Sequence, residues 1–171
     1  MNIHLAAAKT TVPSIRLVSE IIPLPNPATA SVAVIGLGYV GLPLLTNFAR
    51  NAEVIGFDID EKKLNALRNG EDVTGQVNAV DLSHPNIGFT SDASALKNMD
   101  VVVVCVPTPV DYSNRPDYSP LIAASRTIGA NMKRGAVVIF ESTVDPGTTE
   151  ERCLPVLTQA SGMIEGVDFH I

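Results

Sequence analysis

The chain has 171 residues, of which 46% are hydrophobic, and it carries a net charge of −6 at pH 7. This length is enough for one globular domain with a sizeable core. The acidic balance and the lack of a basic run argue against nucleic acid or an anionic membrane as the main partner, since both bind clustered Lys and Arg. No apolar run approaches the roughly 20 residues that cross a bilayer. The two cysteines build no disulfide framework, and without a signal-peptide pattern the expected location is cytoplasmic.

Residues 1–30 differ from the rest, because prolines interrupt any periodicity at positions 13, 23, 25 and 27. We interpret this segment as an N-terminal arm or leader, and residues 31–171 as the folded domain. Within the arm, residues 14–22 could form a short strand or a helical turn. The sequence leaves that choice open.

A β-α-β pattern with the motif GxGxxG follows the arm. Val32 to Ile35 is rich in β-branched residues and predicts a strand buried on both faces of a parallel sheet. Gly36, Gly38 and Gly41 come next. The first glycine permits a tight turn, the second a close approach to a pyrophosphate, and the third the packing of a helix on the strand.

The helix of this unit is expected to begin at Tyr39, and Pro43 fits near its start because a missing N–H costs little there. The first amides, including those of Tyr39 and Val40, lack intrahelical partners and form an anion site with the helix dipole. The second strand, Glu53 to Phe57, ends at Asp58, about 20 residues after the first glycine, where an acid contacts a ribose. Its carboxylate would repel a 2′-phosphate, which favours NAD over NADP.

Further helices and a third strand are predicted before residue 100. Asp60 is a typical N-cap and Gly70 a typical end for the first helix, and Ser91 or Asp92 caps the last. The predicted ranges are 61–69 for the first helix, 78–82 for a short helix inside a loop, 87–90 for the strand, and up to residue 99 for the last helix.

The most continuously apolar run, Val101 to Val106, predicts a central parallel strand. After a polar loop, Ser119 and Pro120 indicate an N-cap followed by proline at the first helical position. The spacing of a helix through Met132 suits packing on a sheet, since one side carries Leu121, Ser125, Ile128 and Met132.

The last part of the chain predicts a strand over residues 136–140 and a helix that begins near Thr148 or Thr149. Pro155 is expected to kink this helix, and Gly162 to end it. Val167 to Ile171 is similar to the beginning of another strand. The whole alternation predicts an α/β protein with a Rossmann-type doubly wound parallel sheet and helices on both faces.

Two hydroxyl side chains, Thr108 and Thr143, follow the carboxyl ends of predicted strands, where open α/β sheets bind ligands. Cys105 and Cys153 lie in apolar elements and are interpreted as small hydrophobic residues rather than reactive thiolates. Glu141 is expected to pair with a nearby base. The three histidines are scattered, so no metal site is predicted.

Four ordered motifs resemble the N-terminal domain of the nucleotide-sugar 6-dehydrogenases, a family that includes the UDP-glucose, GDP-mannose and UDP-N-acetylhexosamine enzymes. The motifs are VAVIGLGYVGLPLL, GFDID with Lys63, VPTPVD and ESTVDPGTTEE. The last, with Cys-Leu-Pro after it, is most similar to the UDP-N-acetylglucosamine or UDP-N-acetylgalactosamine branch. The resemblance covers residue 31 to the end.

The resemblance implies an NAD site with a role for each part of the motifs. It places Gly36, Gly38 and Gly41 at the pyrophosphate, with Tyr39 and Val40 beside them. The remaining implied contacts are Asp58 and Lys63 at the adenosine ribose, and Thr108 and Thr143 at the nicotinamide side. Thr143 is also similar to the hydroxyl that positions the hydrolytic water, which makes it the implied catalytic residue.

Enzymes of this family oxidise C6 of a UDP-sugar twice, to the carboxylate, with two NAD⁺ reduced and a cysteine thiolate holding the aldehyde. The resemblance places that cysteine, the central helical domain and the UDP-binding domain beyond this chain. We therefore expect that the 171-residue chain does not turn over by itself. The implied full-length protein is a homo-oligomer that acts in polysaccharide precursor synthesis.

Two other functions stay open at this point. One is the cofactor domain of a β-hydroxyacid or 6-phosphogluconate-type dehydrogenase, which begins with a similar glycine motif, although STVDPGT favours the first interpretation. The other is a non-catalytic NAD-binding module.

Overall fold

A computed structural model describes residues 22–113 and 115–171. Its centre is a five-stranded sheet with the strand order β3-β2-β1-β4-β5, in which all neighbouring strands are parallel. The strands are β1 Val32–Ile35, β2 Val54–Phe57, β3 Ile87–Thr90, β4 Val101–Val104 and β5 Val137–Phe140. This order is that of a doubly wound α/β fold, so the predicted fold class is confirmed.

Helices connect the strands and lie on both faces of the sheet. They are α1 Gly41–Ala49, α2 Glu61–Arg68, α3 Ala79–Leu82, α4 Ser119–Asn131 and α5 Leu154–Ser161, with a 3₁₀ helix at Ala93–Asn98. Asp60 caps α2 by accepting hydrogen bonds from the amides of Lys62 and Lys63, as predicted. Asp92 caps the 3₁₀ helix through the amide of Ser94.

Two apolar cores lie on opposite faces of the sheet, because successive side chains of each strand point to opposite sides. Ala33 and Ile35 of β1 pack with α4 and α5, whereas Val32 and Val34 pack with α1 and α2. The predicted face of α4 is buried in the first core, with Leu121, Ser125, Ile128 and Met132 all at most 5% exposed. The second core buries the α2 side chains Leu64 and Leu67.

Two predicted helix starts are wrong. Helix α1 begins at Gly41 rather than Tyr39. Pro43 has no N–H to donate to the carbonyl of Tyr39, so the unbroken series of helical hydrogen bonds starts with the bond from Leu44 to the carbonyl of Val40, and Tyr39 and Val40 form a turn. Ser119 is not the N-cap of α4. It is the first helical residue, and its amide donates to the carboxylate of Asp117 at 2.8 Å.

The helix that follows β5 contains an irregularity near Pro155, where a kink was predicted. A π-helical turn, Thr149–Cys153, precedes α5. Pro155 has no N–H to donate, so the backbone there cannot continue a regular hydrogen-bond ladder. Gly162 ends α5 in the left-handed conformation, as predicted.

The C-terminal residues and the end of the arm meet at the edge of the sheet. Residues 167–171 form no full strand, although His170 makes a parallel bridge to Val137 of β5. The imidazole Nε2 of His170 lies 2.9 Å from the carbonyl oxygen of Ile22. The open choice between strand and helical turn for residues 14–22 falls almost entirely outside the described residues.

Candidate functional site: a dinucleotide cleft

A cleft of about 700 Å³ lies at the carboxyl ends of the strands, between the neighbouring strands β1 and β4. This is the point at which the strand order reverses and at which open α/β sheets bind ligands. Most of the side chains and glycines predicted to hold a cofactor line it: Gly36, Gly38, Tyr39, Val40, Asp58, Lys63, Thr108 and Thr143.

Two of the three motif glycines are required by the fold itself. A Cβ on Gly41 would lie 2.0 Å from the carbonyl oxygen of Gly36, so any side chain there would collide with the backbone of the turn. Gly36 has a φ of +91°, and its Cβ would lie 2.9 Å from the carbonyl oxygen of Cys105. Gly41 therefore packs against the backbone of the turn, does not line the cleft, and lets α1 approach β1 closely.

Gly38 is different, because nothing in the fold requires a glycine there. A Cβ at Gly38 would meet no atom within 4 Å, and its φ lies outside the left-handed range. The backbone amides of Gly38, Tyr39 and Val40 donate to no acceptor within the described part of the chain. These three amides and the open space above Gly38 match the needs of a pyrophosphate, which requires donors and close backbone approach.

Asp58 is buried at the end of β2, with 7% of its surface exposed. One carboxylate oxygen accepts the amide of Leu37 at 3.0 Å and the ammonium of Lys63 at 2.6 Å, and the other accepts the amide of Asp60 at 3.0 Å. Burial raises the pKa of Asp58, but these hydrogen bonds and the charge of Lys63 outweigh it, so the pKa is lowered. Asp58 is therefore ionised at neutral pH.

The contacts of Asp58 leave it limited capacity for a ligand. A carboxylate offers about four lone-pair positions, and three are already used. The half-buried ammonium of Lys63 competes with a ribose for the same oxygen, and both groups line the cleft. Ribose hydroxyls can join this cluster as additional partners, because Lys63 has further donors and Asp58 one further acceptor position.

The opposite end of the cleft is formed by the residues that follow β4 and β5. The hydroxyl of Thr108 donates to the carbonyl of Thr143 at 2.8 Å, and the hydroxyl of Ser142 donates to the carbonyl of Val106 at 2.7 Å. A hydroxyl has one hydrogen, so Thr108 keeps only acceptor capacity for a ligand. The hydroxyl of Thr143 has no partner within the described residues and can both donate and accept.

The two thiols are poor nucleophiles. Burial, with a smaller contribution from the carboxylate of Glu141, raises the pKa of Cys105 to about 11. Burial also raises the pKa of Cys153, which is fully buried. The thiolate is the reactive form, so both residues behave as small hydrophobic groups, as the sequence indicated.

Some features of the site were not predicted. The hydrogen bond from the amide of Leu37 to Asp58 is one of them, since the two residues come together only through the pairing of β1 with β2. The expected ion pair of Glu141 is absent within the described residues, where Glu141 lines the cleft and is exposed. Glu141 and Cys105 come directly after Phe140 and Val104, which pair at the ends of β5 and β4. The position of the two strand ends in the sequence could therefore have indicated that Glu141 lies beside Cys105.

The strand order and the cleft define a dinucleotide-binding domain of the Rossmann class. Residues 30–171 match the UDP-glucose/GDP-mannose dehydrogenase family, NAD binding domain, and the chain belongs to this family. The predicted resemblance is thus confirmed, and it decides against the β-hydroxyacid or 6-phosphogluconate type.

Individual relatives agree with this assignment. The chain is 47% identical to a UDP-N-acetyl-D-glucosamine 6-dehydrogenase of Pseudomonas aeruginosa over 81% of its length, and 46% identical to protein CapL of Staphylococcus aureus over 82%. Both matches cover 33% of the relative. The chain therefore spans about a third of the length of the curated relatives it matches.

Solved structures of similar proteins have the same fold. The UDP-D-ManNAc dehydrogenase of Pyrococcus horikoshii superposes with a TM-score of 0.74 at 37% identity, over 81% of this chain and 34% of that one. Within the described residues of the present chain, no helix has the length and apolar character to cross a membrane.

Proposed function

We propose that this domain binds NAD along the cleft, with the pyrophosphate on the amides of Gly38, Tyr39 and Val40. The observation that carries the proposal is the open space above Gly38, which no requirement of the fold explains. The absence of a Cβ there lets a phosphate reach the three free amides, and the dipole of α1 adds a favourable charge.

The adenosine ribose belongs at Asp58 and Lys63. The ionised carboxylate accepts a hydrogen bond from a ribose hydroxyl, and the ammonium donates one. A 2′-phosphate would place negative charge against a buried carboxylate that already has a lowered pKa, so NADP is disfavoured.

The nicotinamide end belongs beside Thr108 and Thr143. Thr108 can accept from a carboxamide N–H₂ group, while Thr143 can donate to the carboxamide oxygen or orient a water molecule. In the complete protein, we assign Thr143 the catalytic task of positioning the hydrolytic water.

For the complete protein, we infer oxidation of C6 of a UDP-N-acetylhexosamine to the uronate with two NAD⁺, in polysaccharide precursor synthesis. NAD⁺, when bound, supplies the hydride acceptor for this chemistry. The proposal is supported by relatives named UDP-N-acetyl-D-glucosamine 6-dehydrogenase at 43% and 47% identity. We also propose that the complete protein is a cytoplasmic homo-oligomer. We propose no role for nucleic acid or membranes, because the net negative charge of the chain disfavours binding to either of these anionic partners.

Calorimetric titration of the 171-residue chain tests the cofactor assignment. NAD⁺ should bind, and NADP⁺ should bind at least about tenfold more weakly, which corresponds to about 1.4 kcal/mol. The Asp58→Asn variant should narrow this difference, since it removes the charge that repels the 2′-phosphate. Equal affinity of the unmodified chain for both cofactors would contradict the role of Asp58.

A second experiment tests turnover. The chain should form no NADH from NAD⁺ and UDP-N-acetylglucosamine, because it spans only a third of the relatives named for this oxidation, and neither of its cysteines provides a thiolate to hold the aldehyde. The complete gene product should form two NADH per sugar oxidised, and a product with one NADH per sugar would contradict the uronate assignment. Absence of any sugar oxidation by the complete product would favour the non-catalytic NAD-binding module.

A further inference from the structure

Two loops follow the strands on the nicotinamide side of the cleft, and side-chain hydrogen bonds join them. We name residues 105–118 the β4 loop and residues 141–148 the β5 loop. The β4 loop carries Thr108 and the β5 loop carries Thr143. Besides the bonds of Thr108 and Ser142 described above, the hydroxyl of Tyr118 donates to the carboxylate of Asp145 at 2.5 Å.

Tyr118 is held in place by the rest of the domain. It is the residue before α4, and its half-buried ring packs against the core that contains α4 and α5. The guanidinium carbon of Arg152, in the π-helical turn, lies 5.0 Å from the centre of the ring. The ring is thus fixed by apolar packing and by a cation, so its hydroxyl is presented from a rigid base.

Asp145 lies in the exposed part of the β5 loop, two residues after Thr143. Its hydrogen bond to Tyr118 fixes the loop after Thr143, the bond of Ser142 to the Val106 carbonyl fixes it before Thr143, and the bond from Thr108 fixes the Thr143 carbonyl itself. The hydroxyl of Thr143 has no partner of its own within the described residues, so these bonds to the neighbouring loop residues determine where its backbone lies.

We propose that Tyr118 is a positioning residue for the nicotinamide half of the cofactor, which acts through Asp145 on Thr143. The inference rests on the proposed function, since it takes Thr143 to face the nicotinamide. Tyr118 itself lies outside the cleft lining, and within the described residues its side-chain hydrogen bond and ring contact go to Asp145 and Arg152, not to the residues assigned to the pyrophosphate or the adenosine ribose. Its effect must therefore fall on one half of the dinucleotide.

The test compares NAD⁺ with ADP-ribose, which lacks the nicotinamide, by calorimetry on the 171-residue chain. Tyr118→Phe removes the hydroxyl and keeps the ring against Arg152, so the melting temperature should not change. Loss of one charge-assisted hydrogen bond should weaken NAD⁺ binding about threefold to tenfold, and leave ADP-ribose binding within about twofold. The matched control is Tyr112→Phe, since Tyr112 is a fully exposed tyrosine of the same loop and should show no change for either ligand.

A double-variant cycle completes the experiment. Asp145→Ala should show the same split between the ligands, and combining it with Tyr118→Phe should add little beyond the larger single effect. Unchanged NAD⁺ affinity in Tyr118→Phe, equal weakening of both ligands, or additive effects would each overturn the positioning role. In any of these cases, normal binding by the unmodified chain leaves the proposed function standing, whereas failure of the unmodified chain to bind either ligand overturns that function.

Discussion

Alanine substitutions at Gly38 and Gly41 should separate cofactor binding from folding. The two glycines are three residues apart in one motif, yet the structure gives them opposite surroundings. An added methyl group at Gly41 would lie 2.0 Å from the carbonyl oxygen of Gly36, whereas one at Gly38 would meet no atom within 4 Å. Each variant therefore serves as the control for the other.

The Gly41→Ala variant must shift the backbone of the turn by more than an ångström, because the obstructing atom is a carbonyl and not a flexible side chain. Overpacking costs about 1–3 kcal/mol, and this rigid site places the expected loss of unfolding free energy at about 3 kcal/mol or more. For a domain of this size, the melting temperature should fall by about 6–12 °C.

The Gly38→Ala variant should keep or slightly raise the melting temperature, since alanine reduces the entropy of the unfolded chain by about 0.4–1 kcal/mol. Its methyl group occupies the space assigned to the pyrophosphate, so NAD⁺ affinity should fall at least about tenfold. Differential scanning calorimetry and NAD⁺ titration measure the two effects. An unchanged dissociation constant for Gly38→Ala, or destabilisation equal to that of Gly41→Ala, would refute this reasoning.

Three further predictions concern titratable groups. Asp58→Ala should lower the free energy of unfolding by about 1–3 kcal/mol as well as weaken NAD⁺ binding, because it leaves two backbone amides without their acceptor; a denaturant midpoint equal to that of the unmodified chain would contradict this. The free energy of unfolding should fall as pH drops below about 4, because Asp58, Asp72 and Asp100 have pKa values that are lower in the folded than in the unfolded state. Their stabilising contribution is present above the unfolded pKa and is lost as pH falls through the folded pKa. Thermal melts across the acid range measure this loss, and a constant melting temperature would count against it. Iodoacetamide should alkylate Cys105 slowly at pH 8 and faster as pH approaches about 11, and removing the neighbouring charge in Glu141→Gln should shift the rate profile to lower pH. Mass spectrometry provides the rates, and fast labelling at pH 8 would be inconsistent with a raised pKa of this partly buried thiol.

Sequence reasoning succeeded where neighbouring residues determine the structure. The cap of α2 depends on Asp60 and two amides within three residues of it, so composition and spacing were enough to predict it. The strands likewise followed from short β-branched runs. The same reasoning failed at Ser119, because Asp117 two residues earlier offered a better acceptor for its amide.

The remaining features depend on contacts between distant segments. Asp58 and Leu37 are 21 residues apart, and Thr108 and Thr143 are 35 apart. The motifs correctly brought Asp58, Lys63, Thr108 and Thr143 to one cleft, because parallel strands end at one edge of the sheet. The motifs could not indicate that Asp58 also accepts a hydrogen bond from the glycine turn, at the amide of Leu37. Nor could they indicate that the hydroxyl of Thr108 donates its only hydrogen to the carbonyl of Thr143 in the neighbouring loop.

The double engagement of Asp58 bears on how cofactor preference can change during evolution. A switch toward NADP would begin by replacing the acid that repels the extra phosphate, yet the same carboxylate fastens the turn to β2 through the Leu37 amide. The first mutation on that route therefore weakens the scaffold before it gains a new ligand. Lineages that switch to NADP need a second substitution that replaces the lost hydrogen bond to the Leu37 amide. Selection for a stable fold therefore also favours the acid that gives the preference for NAD.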